Sequence, residues 1–162
     1  LGWLPYAAAL ALFALWLLRH DIARRTVRQA GLTRYIAVCL LAGYFWLLAA
    51  GLFGLAGAFA AGHAWRDAAL HALALGFVLS MVFGHAPIII PAVARIKLPW
   101  HALFYLPLAL LHASLALRVA AGLAGDMVWR QAGAAGNAAA LAVFVLTVLA
   151  GVWRGRRRPA RT

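Results

Sequence analysis

The sequence predicts an all-α fold, a polytopic membrane helix bundle with about five transmembrane helices. Three observations predict it. Of 162 residues, 67% are hydrophobic, far more than a soluble domain of this size needs. The apolar residues fall into five runs near the length that crosses a bilayer core. The 15 Lys and Arg residues gather in short segments between those runs, on alternate sides. Such clustering is a topology signal and argues against nucleic acid as the partner of the +12 charge.

The elements follow in order. The first span covers about residues 1–18, with Pro5 in its first turns, where proline is tolerated. Leu1 already lies in an apolar run, with no initiator Met and no cleavage-site pattern before it, as in a processed or truncated chain. Residues 19–34 carry five arginines. The second span, 35–60, carries Gly43, Gly51, Gly54 and Gly57, which permit close helix approach. The third covers 68–91, and the basic pair Arg95 and Lys97 follows it. The fourth, 99–121, opens on Pro99, suited to a first turn. The segment GLAGDMVWRQAGAAG is expected to be a loop, its glycines acting as helix stops. The fifth span covers 137–153, and the tail carries five arginines.

Counting cations places the 19–34 segment, the 93–99 segment and the C-terminus in the cytoplasm. Trp3, Trp65, Trp100, Trp129 and Trp153 fall near span ends, as an aromatic belt would. The expected setting is a single multi-pass domain in the cell's inner (plasma) membrane, surrounded by lipid. Cys39 is the only cysteine, so no intrachain disulfide is available, and it reads as a small buried hydrophobe.

Histidines carry the chemistry. His71 and His85 stand 14 residues apart in the third span. In an unbroken α-helix that spacing leaves them within about 40° of one face, about 21 Å apart. His101 and His112 share a face of the fourth span in the same way, about 16 Å apart. If spans three and four form an antiparallel hairpin, His85 faces His101 and His71 faces His112, with a mismatch of about 4.5 Å between the two registers. The fit requires a helix to slide, which Pro87 and Pro91 would allow by ending the third helix early.

Two imidazole pairs at two depths match the needs of two b-type haems. Neutral imidazole is a good axial ligand, and ligation offsets the cost of burying it. Haem propionates would find Arg118, Arg66 and Arg130 at one end, and Arg95 and Lys97 at the other. Each histidine also has a plainer reading, as a hydrogen-bond donor to a carbonyl or as an interfacial residue. A copper site on His71, His85 and His112 has less behind it, because Met81 lies about 120° or more off the histidine face.

The runs ALHALALG (69–76), GHAPIIIPAV (84–93) and LALRVAAGL (115–123) resemble the C-terminal part of the NnrS-type proteins. These are bacterial polytopic membrane proteins containing haem and copper, associated with the response to nitric oxide. The similarity covers residues 69–153, and it implies that His71 and His85 are haem or metal ligands. The chain departs from the family in its smaller number of spans, and in having Ala86, Pro87 and Ile88 where a Thr-Gly-Arg type sequence usually follows the GH. It therefore resembles a short relative or a fragment.

Three functions follow as expectations. The first is a haem b membrane protein that transfers electrons with a redox partner or binds nitric oxide or another diatomic gas; any enzymatic role would be as a cytochrome b-like redox component. The second is a cofactor-free scaffold or accessory subunit among other membrane subunits. The third is a transporter or metal-permeation subunit.

Overall fold

The computed structural model describes residues 2–157; Leu1 and the tail's Arg158 and Arg161 lie outside the described residues. Among these the chain forms six helices and no strand: α1 (Trp3–His20), α2 (Ala23–Thr26), α3 (Gly31–Leu55), α4 (Arg66–Ala94), α5 (Tyr105–Ala124) and α6 (Met127–Arg157). All except α2 are long and apolar enough to cross a membrane. They run alternately up and down, which gathers residues 19–34, 95–101 and 154–157 at one end of the bundle.

The turns are built by local chemistry. After α1, Asp21 accepts from the Ala23 amide at 2.6 Å and from the Tyr44 hydroxyl at 3.1 Å, tying the basic segment to α3. Helix α3 ends at Leu55, short of its expected end, because the chain turns at Gly57 with φ 91°, a conformation that only glycine adopts freely. Helix α4 continues through Pro87 and Pro91 to Ala94 and stops where Arg95 turns left-handed. The expected early ending does not occur, so the register slide that would bring His85 opposite His101 is missing.

The glycines of the expected 122–136 loop act differently from each other. Gly125 ends α5 at φ 74°, and Asp126 then caps α6 by accepting from the Trp129 amide. Gly133 and Gly136 sit inside α6, where a Cβ would meet the Arg118 backbone and the Ser114 side chain. They are contact points that let α5 and α6 approach closely, and α6 therefore begins ten residues earlier than expected.

The same device joins the other helices. Gly51 of α3 lies on the backbone of Ala11 in α1, Gly76 of α4 on the Trp46 ring of α3, and Gly84 of α4 on Cys39 of α3. The core lies between α3, α4, α5 and α6, where Phe83 stacks on Phe144 at 3.8 Å and Tyr35 packs against Phe104 and Tyr105. A second cluster of Trp46, Ala50, Ala68, Leu115 and Val119 fills the other end. The outward faces are apolar as well, with Leu12 67%, Phe45 61% and Leu146 63% exposed.

Candidate functional site

Within α4, the stretch Ala72–Val78 is a π-helix between two α-helical segments. Its wider turn accommodates about one extra residue, so the phase between His71 and His85 becomes about 140° rather than about 40°. The two imidazoles therefore leave the helix on different sides, still at two depths.

Hydrogen-bond partners assign the tautomer of each ring, because a carbonyl only accepts and an N–H only donates. His71 Nδ1 lies 2.8 Å from the Asp67 carbonyl, and His85 Nδ1 lies 2.7 Å from the Met81 carbonyl. In both, Nδ1–H donates one turn back along the same helix. The Nε2 lone pair is left facing outward from the helix, on half-buried side chains. His71 Nδ1 also lies 3.3 Å from the Asp67 carboxylate, which Arg118 grips through Nη2 at 2.8 Å and Nε at 3.1 Å.

His112 has the opposite tautomer. The indole Nε1–H of Trp46 donates to His112 Nδ1 at 3.0 Å, so the proton of the neutral ring sits on Nε2. Nε2 lies 3.5 Å from Ser80 Oγ, whose own proton goes to the Gly76 carbonyl. The result is a chain from Trp46 through His112 and Ser80 to Gly76, which links α3, α5 and α4. His101 is the cap of the short 3-10 turn Ala102–Phe104 and accepts from the Leu103 amide at 3.1 Å, so its Nε2 also carries the proton. His63 accepts from the Trp65 amide, and His20 faces the Trp16 carbonyl, both near helix ends.

The structure therefore divides the four candidate ligands. His71 and His85 present Nε2 as a lone pair, whereas His101 and His112 present it as a donor. None of the hydrogen bonds or ion pairs joins one of these histidines to another, and among the described residues no three His, Cys, Asp or Glu side chains come together as a metal site. Arg118 is occupied by Asp67. Sequence reasoning missed Asp67, Trp46 and Ser80. The available signal was that Asp67 and Arg118 are the isolated charges at and within apolar spans, and such charges find each other.

Fold and site together define an all-helical protein with five membrane-length apolar helices and half-buried histidines, His71, His85 and His112, within two of them. The chain belongs to the family described as a domain of unknown function, DUF8744, whose model matches residues 1–153. No curated protein and no solved structure gives a significant match.

Proposed function

We propose that the protein is a multi-pass protein of the inner membrane in which His71 and His85 would each hold a haem b. One observation carries the reading: both imidazoles donate Nδ1–H to the carbonyl one turn earlier, at 2.8 and 2.7 Å, and keep Nε2 free. Histidines that ligate a metal donate their other ring nitrogen in this way to a carbonyl or carboxylate, which fixes the tautomer and raises the basicity of the ligating nitrogen. His71 has both kinds of partner. The resemblance of HALALG and GHAPIIIPAV to the NnrS-type proteins agrees with this pair.

At these residues a haem would supply binding of a diatomic gas such as nitric oxide, together with one-electron chemistry. The chain's own contribution is to hold each imidazole. The Arg118–Asp67 pair fixes the start of α4, and the Trp46–His112–Ser80 chain fixes the π turn between the two ligands. Arg118 acts here as a positioning residue. The apolar outward faces fit hydrocarbon surroundings, and the cation-rich end is cytoplasmic by the positive-inside rule.

A second reading, a cofactor-free subunit of a larger membrane complex, is favoured by the glycine contacts and by the hydrogen bond that each histidine already makes. Haem content of variants purified from the native host separates the two. On the haem reading, His71→Ala and His85→Ala each lose about one haem per chain, and His112→Gln keeps both. A scaffold yields no haem in the wild type.

A further inference from the structure

At the cation-rich end, a cavity of about 430 Å³ lies between the 99–104 segment and the second half of α6. Two side chains among its lining residues offer donors, His101 and Arg154. Trp100 lines it with its ring, while its indole Nε1 is buried away from the open space. His101 spends Nδ1 on the Leu103 amide, which makes Nε2 an N–H donor. Arg154 adds a guanidinium, while the Thr147 hydroxyl proton is already donated to the Val143 carbonyl at 2.7 Å. The rest of the cavity is apolar, with Leu103, Phe104 and Leu146.

Among the described residues the charge here has no internal complement. The chain has three acids. Asp21 is held by Ala23 and Tyr44, Asp67 by Arg118, and Asp126 caps α6 at the opposite end. Beside the cavity, Arg95, Lys97 and Arg156 line a second, shallower hollow, and neither they nor Arg154 forms an ion pair among the described residues.

We infer that this cavity binds an anionic phospholipid of the cytoplasmic leaflet. The phosphate sits between His101 and Arg154, and an acyl chain lies along Leu103, Phe104 and Leu146. Cation-lined pockets between membrane helices on the cytoplasmic side suit anionic headgroups, and the Arg154 guanidinium in the lining disfavours a cationic ligand. The inference rests on the membrane reading above and is independent of haem.

The test is native mass spectrometry of the full chain in detergent, titrated with dioleoyl phosphatidylglycerol, dioleoyl phosphatidylcholine or inorganic phosphate. The expected result is preferential retention of phosphatidylglycerol, falling about fivefold in Arg154→Gln and recovering in Arg154→Lys. Equal retention of the two lipids, or unchanged retention in Arg154→Gln, overturns the site. Displacement of phosphatidylglycerol by inorganic phosphate overturns the choice of a lipid. Alkaline carbonate extraction of native membranes is run alongside. Release of the chain overturns the membrane reading itself, whereas retention in the pellet without lipid preference overturns only the site.

Discussion

Arg118 holds Asp67 across 51 residues of sequence, with Nη2 2.8 Å from Oδ1 and Nε 3.1 Å from Oδ2. The two-point grip fixes α5 against the start of α4, one turn before His71. Both side chains are mostly buried, at 17% and 29% exposed, so the pair is poorly screened by solvent. Arg118→Gln and Asp67→Asn should each destabilise the protein, and the double variant should lose less than the sum. A coupling of about 1–3 kcal/mol is expected, read from unfolding in detergent. Additive losses would show that the pair contributes nothing specific.

The second prediction concerns the Trp46–His112 bond. Trp46→Phe keeps most of the ring against Gly76 but removes the indole N–H, leaving His112 Nδ1 without its donor. The expected loss is about 1 kcal/mol. Imidazole ¹⁵N NMR should report His112 with its proton on Nε2 in the wild type, and a changed tautomer balance in the variant. An Nδ1-protonated ring in the wild type would contradict the assignment.

Gly76 and Gly122 make a matched contrast. A Cβ at Gly76, in the π turn, would overlap the ring of Trp46, a buried side chain of α3. Gly76→Ala should cost about 1–3 kcal/mol. At Gly122 the nearest atom is Arg130 Cδ at 3.7 Å, an ordinary contact at the end of a flexible side chain. Gly122→Ala should be neutral or stabilising by up to about 1 kcal/mol through helix propensity. Equal effects at the two positions would remove the close-packing account of the α3–α4 contact.

Much of the fold was legible in the sequence because hydropathy and charge act over whole helices. Five apolar runs separated by alternating arginine clusters lead directly to five long helices. The points that escaped are local. GLAGDMVWRQAGAAG has the composition of a loop, yet Gly133 and Gly136 serve helix contact, which composition alone does not distinguish from a helix stop. The π turn at Ala72–Val78 has no periodic signature, and its one extra residue overturns the expectation that His71 and His85 share a face. Ring tautomers depend on tertiary partners such as Trp46, which lies 66 residues from His112. Spacing singles out the four span histidines as candidates but not which nitrogen each one offers.

A fourth prediction follows from the division of the tautomers. His71→Ala and His85→Ala should abolish separate ligand sites, because the two rings leave α4 on different sides and no interaction joins them. Adding imidazole should restore binding in each variant. His101→Ala should leave haem content unchanged, since its Nε2 is a donor. Loss of all haem in the His101 variant would return it to the ligand set.

The most direct test of the central claim is the visible spectrum of the protein purified from its native host, oxidised and dithionite-reduced, with a pyridine haemochrome assay for stoichiometry. The account predicts a Soret band and about two haems b per chain, with a spectrum that shifts on adding nitric oxide to the reduced protein. Protein from the native host without a Soret band would contradict it, and would leave His71 and His85 as hydrogen-bonded residues of a structural subunit.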